Sequence, residues 1–210
     1  MACRPATLKP VKPGGGGRIC DYPADMTLTG LIAFYNDNFA AYLSDEALDR
    51  LSTTIDFICG KDNGGVIDGE KYIKDSHQRR MTAATVRAAY GALDSLDARQ
   101  FNDFEALVEE VERLIGEKRV KGFGRLAVYD FALRYGHSHG IKPKKFVYIQ
   151  QGARDGALGL REAGYLSFAN SDRKIPVEAF PAELRALGAM HIENFLCDMK
   201  NYLRALKKHN

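Results

Sequence analysis

Two stretches of helical apolar spacing flank the short segment Val120-Lys121-Gly122-Phe123-Gly124-Arg125, and no other part of the chain restricts its fold as much. Before the segment, Phe104, Leu107, Val108, Val111, Leu114 and Ile115 form one stripe at the 3.6-residue period. Asn102 followed by Glu105 has capping-box spacing, so a helix is predicted from about residue 103. After the segment, Leu126, Val128, Tyr129, Ala132 and Leu133 predict a second helix, with Gly136 as its stop. Glycines at 122 and 124 allow positive φ in the joining turn and free N–H groups at the start of the next helix. That is the geometry by which a helix N-terminus receives an anion.

The charge pattern reverses across this turn. Lys118, Arg119, Lys121, Arg125, Arg134, Lys142, Lys144, Lys145 and Arg154 stand against one acid, Asp130, giving +8 between 118 and 154. The preceding stretch holds Asp94, Asp97, Asp103, Glu105, Glu109, Glu110, Glu112 and Glu117 against Arg99 and Arg113, giving −6. The net charge of +3 argues for no polyanionic partner by itself, whereas this distribution predicts a polarised surface. The other reading is that the two blocks neutralise each other within the fold.

The rest of the chain also reads as helical. Residues 1–26, with three prolines and Gly14-Gly15-Gly16-Gly17 within the first eighteen, predict a flexible leader. Thr27 caps a helix over Leu28 to Tyr42, and Ser44 caps another running through Leu48, Leu51, Ile55 and Ile58. A glycine-rich connection from Gly60 to Gly69 leads to the basic cluster His77-Gln78-Arg79-Arg80, and Thr82 starts a helix ending near Leu93. Pro143 bars a helix across the following linker. Val147 to Leu160 is predicted helical, Gly164 to Glu178 a loop, and Pro181 opens one long last helix, whose Lys200, Arg204, Lys207 and Lys208 read as a solvated face. The expected fold is all-α and bundle-like, a single domain over 27–210.

No window approaches a membrane span, and a cytoplasmic protein is expected. Cys3, Cys20, Cys59 and Cys197 lack C-x-x-C spacing and read as ordinary thiols. His137 and His139 could share a metal on an extended segment but find no third ligand nearby, so neither a metal nor a cofactor is predicted.

Val120-Lys121-Gly122-Phe123-Gly124-Arg125-Leu126-Ala127 resembles the helix-hairpin-helix signature, placed here at about 103–135. Its context, Asn102 to roughly Tyr148, resembles the helical DNA glycosylase superfamily of base-excision repair. The resemblance implies backbone binding of duplex DNA through hairpin amides, with Gly122 and Gly124 as the hairpin glycines, Phe123 packing the turn, and Lys121 and Arg125 flanking a phosphate. Lys142, Lys144 and Lys145 extend that cationic side. In members that also cut the backbone, a lysine stands where this chain has Leu126, which offers no nucleophile, so no Schiff-base lyase is expected. The catalytic aspartate of the family has no counterpart between Phe131 and Arg154. Asp130 and Asp155 are the nearest candidates, Asp130 having the alternative role of pairing with Arg134 one turn on. Tyr148 and Gln150, with Gln151 beside it, are candidates for a pocket that reads an extruded base, Tyr148 equally a core residue.

Three functions follow: a sequence-nonspecific DNA-binding protein without the standard catalytic residues, a monofunctional glycosylase with an unusually placed carboxylate, or a helical protein-interaction module docking a basic partner on the acidic face.

Overall fold

A computed structural model of the chain describes residues 23, 25–43, 63–67, 70–74 and 81–206. Most of the predicted leader, the Ser44-capped helix, the His77–Arg80 cluster and Lys207 to His209 lie outside the described residues. In chain order the helices are α1 (Leu28–Asn38), α2 (Ala83–Leu93), α3 (Phe104–Glu117), α4 (Arg125–Ser138), α5 (Gln151–Glu162), α6 (Ala182–Arg185), α7 (Ala189–Asp198) and α8 (Lys200–Leu203). Two antiparallel strand pairs join them, β1 (Asn63–Ile67) with β2 (Glu70–Lys74) and β3 (Phe146–Tyr148) with β4 (Lys174–Pro176). The class is all-α, and among the described residues no helix is long and apolar enough to cross a membrane.

The chain forms two compact units. One comprises Met1–Leu43 with Lys144–Asn210, and the other Ser44–Pro143. The chain leaves the first core after α1 and completes it only from β3 onward, so the intervening stretch builds a core of its own.

In the split unit, the Thr27 hydroxyl accepts the Gly30 N–H at 3.1 Å and so caps α1 as expected. The helix ends at Asn38, not Tyr42. There the Asn38 side-chain amide donates to the Phe34 carbonyl at 2.8 Å, and a 3-10 turn over Ala40–Leu43 follows. In the core Tyr35 stacks on Phe39 and meets Phe195 edge to face, among Leu184, Ile192, Leu196 and Tyr202. Helix α5 packs on α7 and α8, and α7 also covers β3.

Val147 and Tyr148, predicted helical from the sequence, lie in a strand, Val147 opposite Ile175 and Tyr148 opposite Lys174. A β-branched residue beside aromatic ones suits a pleated, half-covered surface better than a helix. Correspondingly, the expected loop over Gly164 to Glu178 contains β4 and a 3-10 turn, Val177–Ala179. The long last helix is broken into α6, α7 and α8: α6 ends at Arg185, Gly188 at φ +79° is the N-cap of α7, and Met199 separates α7 from α8.

In the inserted unit, part of the expected glycine-rich connection is strand: Ile67 pairs with Glu70, and Asp68-Gly69, a pair favoured in two-residue hairpin connections, stands between them in the sequence. Thr82 caps α2 as expected. The six apolar stripe residues of α3 are all buried, but its cap is Asp103, whose carboxylate accepts the Ala106 N–H at 3.0 Å, rather than Asn102. Helix α4 runs past Gly136 and stops two residues later. Gly136 is needed there for packing, since a Cβ on it would sit 2.5 Å from the Ile141 carbonyl oxygen and 3.0 Å from Leu107 Cδ2. The stop is Gly140 at φ +73°, with Ile141 N–H donating to the Gly136 carbonyl at 2.8 Å and Gly140 N–H to that of His137 at 3.0 Å.

Candidate nucleic-acid interface

Residues 118–124 connect α3 to α4 through a defined turn. Arg119 takes φ +51°, and Val120 N–H donates to the Ile115 carbonyl at 3.1 Å while Arg119 N–H donates to that of Gly116 at 3.0 Å. These two bonds are a Schellman closure with an arginine where glycine is usual. Val120 and Phe123 bury their side chains, Phe123 to 5% exposure, and so seat the turn on the core. Gly122 has φ +83°, as its place in the sequence predicts, whereas Gly124 at φ −83° needs no glycine freedom. Gly124 is the N-cap of α4 and provides no side-chain acceptor, and the first turn of α4 carries no acid. The opening amides of that helix therefore have no cap from within the motif, and the dipole there favours an anion.

Lys118, Arg119, Lys121 and Arg125 are all exposed around this turn, together with Gly122 and Gly124. None forms an ion pair among the described residues. The acidic face of α3 is instead partly self-neutralised: Arg113 pairs with Glu110 at 2.5 Å and with Glu117 at 2.6 Å. Arg113 and its two acids therefore satisfy one another along their own helix. The hydrogen bond from Arg113 holds the Glu110 carboxyl below its ordinary range.

The other cations of the predicted set have settings of their own. Lys142 is half-buried and follows the C-terminal stop of α4, roughly 20 Å along the helix axis from its start at 1.5 Å per residue. Lys144 and Lys145 are exposed but belong to the split unit, where the Lys145 carbonyl accepts the Val177 N–H at 3.0 Å. Arg154 is occupied: its guanidinium donates to the Asp172 carbonyl at 2.8 Å and to the Asn170 carbonyl.

Each candidate carboxylate has a defined setting within its own unit. Asp130 is 5% exposed on the core side of α4, and its main-chain oxygen lies 3.4 Å from Arg134 Nη1. Asp155 sits in the split unit, 2.9 Å from Arg204 in an ion pair. Tyr148 is a core residue of that unit, with Lys174 Nζ 5.9 Å from its ring centre, and half-buried Gln150 is the N-cap of α5. His137 and His139 are on the end of a helix rather than an extended segment. His137 is buried, while exposed His139 places Nδ1 2.8 Å from the Tyr135 carbonyl oxygen.

One residue at this site was not legible in the sequence. Thr85, 8% exposed on the first turn of α2, donates its hydroxyl to the Lys121 carbonyl at 2.9 Å, and its Oγ1 would lie 3.0 Å from a Cβ on Gly122. The only sequence signal is the repeat Thr82-x-x-Thr85 at a helix start, and nothing in it points to a partner so far along the chain.

No protein-family model, curated protein or solved structure matches the chain.

Proposed function

We propose that the turn between α3 and α4 binds the phosphate backbone of duplex DNA without regard to sequence, in a cytoplasmic protein that resembles helix-hairpin-helix glycosylases but lacks their standard catalytic residues. One observation carries the reading: four exposed cations, Lys118, Arg119, Lys121 and Arg125, surround a glycine turn whose following helix begins without a side-chain cap or an acid. Cations with amides and a helix N-terminus are the chemistry that recognises phosphate, and phosphate contacts position a protein without reading bases. The aromatic side chains of the motif, Phe104, Phe123, Tyr129, Phe131 and Tyr135, are buried, so none is available to stack on a base. Base excision gains no support from Asp130, inside the core, or from Asp155, engaged by Arg204.

Fluorescence anisotropy with several unrelated duplexes tests the reading. Similar affinities are expected for all of them, with binding strongly weakened in the double variant Lys121→Glu, Arg125→Glu. Affinity unchanged in that variant would sink the assignment.

A further inference from the structure

The hydroxyls on α2 form a chain whose proton order is fixed by counting donors. Thr85 Oγ1 uses its single proton on the Lys121 carbonyl at 2.9 Å, so its 3.1 Å contact with Thr82 Oγ1 makes Thr82 the donor. Thr82 Oγ1 in turn accepts the Thr85 main-chain N–H at 3.2 Å. The order is therefore Thr82 hydroxyl to Thr85 hydroxyl to Lys121 carbonyl.

The peptide bond between Lys121 and Gly122 is trans, as are all the described ones. A planar trans peptide carries its C=O and N–H in opposite directions. Holding the Lys121 carbonyl against Thr85 therefore turns the Gly122 N–H away from α2, and Gly122 is an exposed residue. A carbonyl that accepts a hydrogen bond also makes the N–H of the same peptide a stronger donor. Gly122 itself fits closely, since its φ of +83° and the nearness of Thr85 Oγ1 both disfavour a side chain there.

We propose that Thr85 is a positioning residue for the turn, aiming the Gly122 N–H at a phosphate oxygen, an inference that rests on the phosphate-binding reading above. The test compares wild type with Thr85→Val, which keeps the shape and loses the hydroxyl, and Thr85→Ser, which keeps the hydroxyl. Duplex affinity is measured by anisotropy, and the Gly122 amide is followed by NMR during titration with the same duplex. Thr85→Ser should bind like wild type, and Thr85→Val about tenfold more weakly, the scale of one hydrogen bond to a charged group. The salt dependence should be the same in all three, because an amide contact displaces no bound cation. The Gly122 amide should shift on titration in wild type and Thr85→Ser but not in Thr85→Val.

Thr85→Val binding like wild type, or Thr85→Ser binding as weakly as Thr85→Val, overturns the proposal. A wild type that binds duplex while its Gly122 amide stays unmoved overturns it alone, whether or not Thr85→Val folds. A wild type that does not bind duplex removes the phosphate-binding reading as well.

Discussion

Arg119 holds a backbone conformation that suits glycine, and its side chain stands on the proposed binding surface, so its two roles can be separated. Substitution by glycine relieves the strain of φ +51° and removes one cation. Arg119→Gly is expected to stabilise the inserted unit by roughly 0.5–1 kcal/mol in urea unfolding while weakening duplex binding. Loss of stability would show that the arginine makes contacts beyond the turn closure. Tyr35 is a residue-scale case in the other unit. Its hydroxyl lies 3.1 Å from His191 Nδ1 and accepts from the Asn194 amide at 3.1 Å. Burial pushes its phenol well above the usual range; the Asn194 hydrogen bond opposes this, and the charges of Asp198 and Glu193 add to it. A folded pKa raised above the unfolded one gives stability that is present below the unfolded value of about 10 and declines as pH rises beyond it. Unfolding at about pH 9 and about pH 11 should therefore show wild type losing up to about 1.4 kcal/mol per pH unit relative to Tyr35→Phe. Equal losses in the two proteins would refute this role for Tyr35.

At the scale of elements, close helix packing rather than polarity decides where glycine matters. Gly152, Gly156 and Gly159 line the face of α5 toward α7 and α8, and a Cβ on Gly156 would lie 2.1 Å from the Leu196 carbonyl oxygen. Backbone cannot yield as a side-chain tip can. Gly156→Ala is expected to destabilise by about 1–3 kcal/mol despite the better helix propensity of alanine. Exposed Gly91 on α2 has nothing within 4 Å of its would-be Cβ, so Gly91→Ala should stabilise by about 0.5–1 kcal/mol. Thermal melts of the two variants should move in opposite directions. This contrast shows what was legible in the sequence. The apolar stripe of α3 and the caps at Thr27 and Thr82 use contacts within a few residues, so periodicity reveals them. The strand role of Val147 and Tyr148 depends on Ile175 and Lys174, far along the chain, and so leaves no local signal. Lys121, Gly122, Phe123, Gly124 and Arg125 come together because they are consecutive. Thr85 joins them through a bond that only the folded chain brings about.

Over the whole molecule, the net charge of +3 conceals how the cations are used. Arg154 and Arg204 serve internal contacts of the split unit, while Lys118, Arg119, Lys121 and Arg125 remain exposed on one turn of the inserted unit. Lys144, Lys145, Tyr148, Gln150 and Asp155 belong to the split unit, and the binding proposal rests on the inserted unit alone. Its central claim is phosphate contact by those four cations, and the salt dependence of duplex affinity tests it most directly. With about four phosphates neutralised, log K against log salt should fall linearly with a slope between about −3 and −4, and the slope should shrink toward half in Lys121→Glu, Arg125→Glu wherever residual binding is measurable. A wild-type affinity that does not change with salt, or a slope identical in the two proteins, would contradict the account.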